Sequence, residues 1–343
     1  MKLRVLMTGA GAPGAAGILK CLQQDAGMEV IVADASEEAV GRYLNPTFEL
    51  IPKAADKGFI PAIEALCDKH NINLICPLVT RELFPFSEHK ERFEAKGIKV
   101  LVSGYEALSI ANDKGKLYQA LHNNNILTPQ FVIAHTVAEL ERAVQHLGYP
   151  GKTVCFKPCV SNGMRGFRII DDSKDEFDLL FNHKPTSEYI RLDKAVEILS
   201  ARRFPPLLVS EYLPGEEYTV DCLAQNGKCL LAVPRLRKKM VQGISVSGVI
   251  EENTEIIDYC RQVIECCNLH GPIGIQVKRA EDGSFKILEI NPRVQGTTVA
   301  LLGAGINLPL LAVKMEMGEA FTPEELQVTW GTRFMRHWTE VYY

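Results

Sequence analysis

The sequence predicts an α/β protein: an N-terminal domain on a parallel sheet, residues 1–110, then two α+β subdomains at 111–206 and 207–343. Three observations predict it. Strand-like and helix-like runs alternate through the first hundred or so residues, with a glycine turn after the first strand. In the middle, two apolar runs, Val154–Pro158 and Phe167–Ile170, flank a loop carrying two glycines. Near the C-terminus, Gly274–Arg279 and Phe285–Asn291 flank Asp282-Gly283, a strong hairpin signal.

Taking the elements in order, Leu3–Thr8 reads as a buried strand, Gly9–Gly14 as a turn, Ala15–Gln24 as a helix and Glu29–Ala33 as a second strand followed by Asp34. This is the G-x-G-x-x-G dinucleotide fingerprint with an acidic residue after it, in Rossmann-like order. Pro13 removes one N–H from the loop, so the turn reads equally as a packing device or as a contact to a second substrate. Helix Ile60–His70 and strands Leu74–Pro77 and Lys99–Val102 complete a small parallel sheet.

A helix then runs from about Lys114 to Asn124, capped by Asn112 or Asp113. Lysine in a first turn opposes the helix dipole, so Lys114 reads either as a solvated surface lysine or as one placed for an anionic partner. Lys157 lies inside the apolar strand Val154–Pro158, and an ammonium there predicts a nearby anion. The loop Ser161-Asn162-Gly163-Met164-Arg165-Gly166 follows, where glycines allow successive N–H groups to turn toward phosphate oxygens. It is not a Walker A loop, because G-K-[ST] is absent and a strand follows.

Leu207–Tyr212 is a strand ending in Glu211-Tyr212-Leu213-Pro214-Gly215, and Glu217 opens the next. Strand-to-loop junctions leave peptide groups unpaired, so Glu211–Leu213 can meet an adenine edge and Glu217 a ribose. Arg235, Arg237, Lys238 and Lys239 precede the small-residue stretch Gly243–Gly248 and read either as a solvated face or as a flexible loop that neutralises a transferred phosphoryl group or an acidic co-substrate.

In the last hairpin, a two-residue loop would pair Glu281 with Ser284 and set Gln276 opposite Glu289. Side-chain alternation then continues with Asn291 and Arg293 on the same face, leaving Ile275, Val277, Leu288 and Ile290 for the core. Two carbonyl oxygens and a carboxylate suit a hard divalent cation, and the guanidinium suits a phosphate.

The 343 residues, 46% hydrophobic and 23% charged, give ample core, and a net charge of −4 argues against nucleic acid or a membrane surface as partner. Ten cysteines without a CxxC pair read as buried thiols of a reducing compartment, and glycines interrupt the apolar N-terminus where a signal peptide would continue. The expectation is a cytoplasmic protein. A homodimer is compatible with the composition and not established by it.

Taken together, Lys114, Lys157 with its glycine loop, Glu211-Tyr212-Leu213 with Glu217, and Gln276 followed by Glu289-Ile290-Asn291-Pro292-Arg293 resemble the ATP-grasp superfamily over essentially the whole chain. Within it the chain looks most like stand-alone proteins related to one synthetase half of the carbamoyl-phosphate synthase large subunit. The resemblance implies a Rossmann-like domain followed by an ATP-grasp fold of two α+β subdomains. Lys114 and Lys157 would contact ATP phosphates, with Ser161, Gly163 and Gly166 in the lid over them. Glu211, Tyr212 and Leu213 would meet adenine and Glu217 the ribose. Gln276, Glu289 and Asn291 would hold Mg²⁺ or Mn²⁺, and Arg293, with Arg235, would serve the transferring group. The implied activity is a ligase joining a small-molecule carboxylate to an amine through an acyl phosphate. Gln276 stands where many such ligases carry aspartate, and the chain is too short for two synthetase halves. Two other readings stay open: a nucleotide sensor without turnover, and a nicotinamide-dependent oxidoreductase using Gly9–Gly14 and Asp34.

Overall fold

The computed structural model describes residues 2–161, 163–183, 188–241 and 243–343; Asn162 of the glycine loop lies outside them. The chain forms two compact units. One comprises Met1–Ala111, Glu217–Val277 and Glu289–Tyr343, the other Asn112–Glu216 and Lys278–Leu288. The N-terminal segment therefore shares a body with most of the C-terminal one.

The first unit opens with five strands, β1 (Leu3–Thr8), β2 (Met28–Asp34), β3 (Phe48–Leu50), β4 (Leu74–Pro77) and β5 (Lys99–Val100), in the order β3-β2-β1-β4-β5. Every pairing is parallel. Such a sheet is covered on both faces, and β1 shows it: Val5 and Met7 enter one core cluster and Leu6 another, all at 0% exposure. Each of these side chains contributes roughly 1.5–3 kcal/mol by leaving water. The Val5 cluster also takes in Leu223, Val233, Ile250, Val294 and Leu311, so it joins the N-terminal sheet to the C-terminal part of the same unit.

The glycine turn after β1 is closed from within the chain. Gly11 N–H donates to Asp34 Oδ2 at 2.7 Å and Ser36 N–H to Asp34 Oδ1 at 2.9 Å, so both carboxylate oxygens are engaged by backbone. Gly14, which precedes the helix Ala15–Leu22, abuts Gly296, and a Cβ on Gly14 would lie 2.2 Å from Gly296 Cα. The helix N-terminus, where a pyrophosphate would sit in a dinucleotide fold, thus meets the protein's own backbone. Of the readings open for this turn, the structure favours packing. Beside it, Glu82 is buried, accepts from Thr8 Oγ1 at 2.7 Å, and is pushed up to about 7, chiefly by burial and further by Asp34.

The second unit holds β6 (Phe131–Ala134), β7 (Val154–Pro158), β8 (Arg168–Ile170), β9 (Tyr189–Ile190) and β10 (Leu207–Glu211), ordered β6-β10-β7-β8-β9. Its core gathers Leu140, Val144, Val154, Phe156, Ile170, Leu207 and Val209. The helix Lys114–Asn123 is capped by Asp113, whose carboxylate accepts from Gly115 N–H and Lys116 N–H.

The third sheet comprises β11 (Glu217–Gln225), β12 (Lys228–Val241), β13 (Ile244–Ile250), β14 (Gly271–Arg279), β15 (Phe285–Asn291) and β16 (Arg333–Met335), ordered β15-β14-β11-β12-β13-β16. The basic cluster and the small-residue stretch, expected as a flexible loop, are the paired strands β12 and β13, with two bulges between Arg237 and Met240. The hairpin loop is longer than expected. Ala280 N–H donates to Ser284 O at 2.8 Å, Gly283 N–H to Ala280 O at 3.1 Å, and Gly283 has φ 86°. That is a three-residue loop with glycine in the left-handed position. Leu288, expected in the core, is half-exposed, while Phe285 and Ile287 are buried.

All ten cysteines are free, and all but Cys229 and Cys266 are buried. No single helix among the described residues is long and apolar enough to cross a membrane. A bent pair, Thr298–Ala304 and Leu308–Glu316, passes by length and composition, and its buried residues belong to the core.

Two outcomes follow. Gly14→Ala forces backbone against backbone and should cost about 3 kcal/mol in urea unfolding, as overpacking does, whereas Gly104→Ala, with open space around its Cβ position, should be nearly neutral. Glu82 keeps its proton in the folded state to about pH 7, while the unfolded carboxyl loses it near the ordinary glutamate value of 4.5. Between those values the folded state binds more protons, so stability falls as pH rises through the window. Glu82→Gln removes this slope. It should raise stability at pH 8 by on the order of 3 kcal/mol and leave it nearly unchanged at pH 4, read by urea titration at both.

Candidate functional site

In the second unit the two lysines are anchored to carbonyls. Lys114 is buried, and its Nζ donates to Ser161 O at 3.0 Å, which ties the first helical turn to the start of the glycine loop. Lys157 Nζ donates to Leu288 O at 2.8 Å and lies 5.9 Å from the Tyr118 ring centroid, while Tyr118 Oη donates to Ile287 O at 2.7 Å. Successive carbonyls of β15 therefore accept from side chains. The loop residues Gly163 and Gly166 are exposed, with φ 65° and 77°, and a Cβ on Gly166 would lie 2.7 Å from Pro158 Cδ. Both positions require glycine, by conformation and, at Gly166, also by space.

At the end of β10, Glu211 N–H and Tyr212 N–H donate to Gln130 O at 3.0 Å and Thr153 O at 3.1 Å. The expected open peptide edge thus narrows to Leu213, whose buried N–H has no hydrogen bond among the described residues. The Glu211 carboxylate accepts from Lys286 Nζ at 2.6 Å, and Lys278 Nζ stands 4.8 Å from the Tyr212 ring centroid. Lys286 is buried, and sequence reasoning missed it. Its signal was the one used for Lys157, a lysine inside an apolar strand, here between Phe285 and Ile287. A cleft of about 750 Å³ in this unit, lined by Gln119, His122, Gln130, Phe131 and His146 among others, contains none of the candidate residues.

In the first unit, Glu217 opens β11 and is ion-paired to Arg237, whose Nε also donates to Ser245 Oγ at 3.0 Å. Arg235 is not on a loop. It is fully buried on β12, with Nε on Asp221 Oδ2 at 2.5 Å and Nη2 on Thr297 Oγ1 at 2.9 Å. Asp221 Oδ1 accepts from Thr298 Oγ1 at 2.5 Å.

At the end of β15 the structure brings Glu289, Asn291 and Arg293 together. Asn291 Nδ2 faces Glu289 Oε1 at 3.4 Å, and Arg293 Nη2 faces Asn291 Oδ1 at 3.5 Å. Arg293 is further held by Thr80 Oγ1 at 3.2 Å and Val294 O at 2.9 Å. Burial lowers its guanidinium below the ordinary arginine value, with the Glu289 charge opposing. Gln276 is half-buried on β14, and its side chain makes no hydrogen bond among the described residues. Among those residues no three of His, Cys, Asp and Glu gather as a metal site. The set Glu289, Asn291, Gln276 has one carboxylate and two carboxamides. Those are hard oxygen donors of the kind that hold Mg²⁺ when phosphates complete its shell, and the set does not make an all-protein cage.

Residues 203–336 match a family described as ATP-grasp in the biosynthetic pathway with Ter operon, and residues 5–101 match the PylC-like N-terminal domain. Among curated proteins, the carbamoyl phosphate synthase large chain of Thermoanaerobacter pseudethanolicus is 25% identical over 234 residues, covering 65% of this chain and 20% of that protein. The large chain of Archaeoglobus fulgidus is 26% identical over 243 residues, covering 66% and 20%. The match therefore spans about one fifth of the length of these relatives. Among solved structures, biotin carboxylase from Campylobacter jejuni superposes with a TM-score of 0.71 at 18% identity, covering 95% of this chain and 73% of that one. The carboxyaminoimidazole ribonucleotide synthase of Aspergillus clavatus, complexed with ATP, gives 0.72 at 14% identity, with 95% and 80% covered. An L-amino acid ligase from Bacillus licheniformis gives 0.68 at 16%, with 95% and 78% covered. These likenesses carry the fold; the C-terminal match is to an ATP-grasp family, and the chain resembles the carbamoyl-phosphate synthase large subunit.

Proposed function

We propose that this chain is an ATP- and Mg²⁺-dependent ligase that activates a small-molecule carboxylate as an acyl phosphate and couples it to an amine. The observation that carries the reading is the contact chain of Glu289, Asn291 and Arg293 at one strand end. It offers a carboxylate and a carboxamide oxygen to a cation beside a guanidinium for a phosphate. Lys114 and Lys157 are assigned to the ATP phosphates, with Ser161, Gly163 and Gly166 as the loop that covers them. The unengaged Leu213 N–H is assigned to an adenine ring nitrogen, with Glu211 and Tyr212 beside it, and Glu217 to the ribose. Glu289, Asn291 and Gln276 would hold Mg²⁺ or Mn²⁺, which when bound supplies charge neutralisation to phosphate oxygens.

In the chemistry, a substrate carboxylate oxygen attacks the γ-phosphorus. The bond to the bridging oxygen of the β-phosphate breaks, and ADP departs. The amine nitrogen then attacks the acyl carbon, the carbon–oxygen bond to phosphate breaks, and the amine proton passes to solvent. The protein forms no covalent bond. Its residues orient the reactants and meet developing charge, which is what phosphoryl transfer asks of an enzyme. The names of the relatives, a synthase, a carboxylase and an amino acid ligase, support this class without specifying the substrate.

ADP release from Mg-ATP, measured against pooled amino acids, dicarboxylates and bicarbonate, should be stimulated by at least one pool. Glu289→Gln and Arg293→Ala should each lower that rate by about 10²–10³ while the protein stays folded by circular dichroism. Near-wild-type ADP formation in either variant would remove these residues from the site. Tight ATP binding with no stimulation by any pool would instead favour a nucleotide sensor.

A further inference from the structure

A strand at a sheet edge carries unpaired N–H and C=O groups, and folded proteins blunt it with charge, shortness or cover. Among the described residues, five of the six sheet edges follow that rule. β3 carries Glu49, held by Lys69 and His70; β5 carries Lys99, β15 Lys286 and Glu289, and β16 Arg333; β9 is two residues long. β6 does not follow it. From Leu127 to Ala134 the sequence has no charged residue, and Phe131, Val132 and Ile133 are only half-buried.

The ladder shows which way the free groups point. Among the described residues β10 is the only strand paired with β6, antiparallel, with Phe131 opposite Ser210. Glu211 N–H donates to Gln130 O, so Gln130 turns its peptide groups toward β10. Alternation turns Val132 and Ala134 the same way and sends N–H and C=O of Phe131 and Ile133 outward.

On that outward side lies the cleft of about 750 Å³, lined by residues 128–133. Six residues of strand span about 20 Å, so the cleft is a groove along the edge. Helices flank the strand on both faces. Phe131 meets the Tyr118 and His122 rings of helix Lys114–Asn123, with centroids 5.4 and 6.3 Å away. Val132 and Ala134 pack with Leu140 and Val144 of helix Val137–His146. The last turns of the two helices supply His122 and His146 to the lining.

These features select the occupant. A second copy would present the same edge recessed between the same two helices, so two such edges could not approach to the roughly 4.8 Å that paired strands need. A single extended segment brings no flanking helices and can enter. The described lining offers hydroxyl, carboxamide, imidazole and apolar groups, with no carboxylate, ammonium or guanidinium. A charged side chain on the segment would lose water there and gain no counter-charge.

We propose that β6 binds an extended, uncharged segment of a partner protein as an added strand of the second unit's sheet. Main-chain hydrogen bonds to Phe131 and Ile133 give the affinity, and the helix ends carrying His122 and His146 give the side-chain selectivity. No residue assigned above to nucleotide or metal lies in this cleft, and the ligase reading neither supports nor requires this surface.

The probes are capped hexapeptides alternating valine with threonine, serine or glutamine, added to the full chain and followed by amide hydrogen exchange. At saturation the Phe131 and Ile133 amides should exchange about tenfold more slowly or better, while Val132 and Ala134, already bonded to β10, should change little. N-methylation along one edge of the peptide should abolish binding and along the other should leave it intact, since one edge alone faces β6. Gln119→Trp fills the groove from an exposed helical position, and Gln130→Lys adds the missing edge charge at another exposed one. Each should weaken peptide binding by about tenfold. No protection by any of the peptides, equal protection at all four amides, or tolerance of N-methylation on both edges overturns the added strand. Unchanged affinity in both variants does the same. Protection of Phe131 and Ile133 that grows with protein concentration in the absence of peptide, together with a dimer in sedimentation, would place a second copy on this edge and overturn the peptide as its occupant.

Discussion

The arrangement at the end of β15 depends on a buried ion pair, Asp221 with Arg235, exposed by 1% and 0% respectively. Neither partner touches Glu289 or Arg293 in any contact described above. Their effect runs through Thr297 and Thr298, which they hold by hydroxyl hydrogen bonds on the segment that leaves Arg293. As a stabiliser such a pair is close to neutral against apolar residues of the same volume, because both ions had to leave water. As a specifier it is strong, since losing one partner strands a charge at a cost of about 3–5 kcal/mol. The same segment is fixed a second time, by shape, where Gly296 seats against Gly14. One restraint is polar and the other steric. Together they determine where the chain goes after Pro292, and so which way the Arg293 guanidinium faces.

The glycine turn after β1 takes its meaning from this. Strand, glycine turn, helix and an acidic residue after the second strand occur in any tightly wound parallel unit, because a close strand-to-helix connection needs residues without a Cβ wherever something approaches it. In a dinucleotide enzyme the thing that approaches is a pyrophosphate. Here it is Gly296, and Asp34 spends both oxygens on the turn itself. The local physics is identical in the two cases, and only a residue far along the chain distinguishes them.

That difference describes how much was legible in the sequence. Apolar runs bounded by turn residues marked β1, β4 and β7 to the residue, because each is buried and its ends are set by local chemistry. The candidate lysines could be found because an ammonium in an apolar strand or in a first helical turn needs a reason. Register was not legible in the same way. Asp282-Gly283 permits a two- or a three-residue loop, and the chain takes the longer one. Arg235 misled for a related cause. Three basic residues after it invite reading a solvated loop, and the Asp221 that buries it lies on a neighbouring strand, beyond any local pattern. Lys286 was within reach of the rule already applied to Lys157. The peptide groups of Glu211 and Tyr212 were not, since Gln130 and Thr153, which satisfy them, are brought there only by the fold.

The donor set at the proposed metal position has a consequence of its own. A cation held by several carboxylates can be bound by protein alone, since the negative charge is already there. Glu289 is the single carboxylate here, and Asn291 and Gln276 bring oxygen without charge. Arg293, fixed by Thr80, Asn291 and Val294, adds positive charge close by. Electrostatically the set is incomplete until a polyanion arrives, so a divalent ion has little reason to stay without phosphate oxygens. Charge deficiency of this kind makes cation and nucleotide binding mutually dependent, each supplying what the other lacks. It also explains why a guanidinium is tolerated beside a metal position. In the proposed arrangement it would face phosphate, and its hydrogen bonds in the structure go to the neutral oxygens of Thr80, Asn291 and Val294.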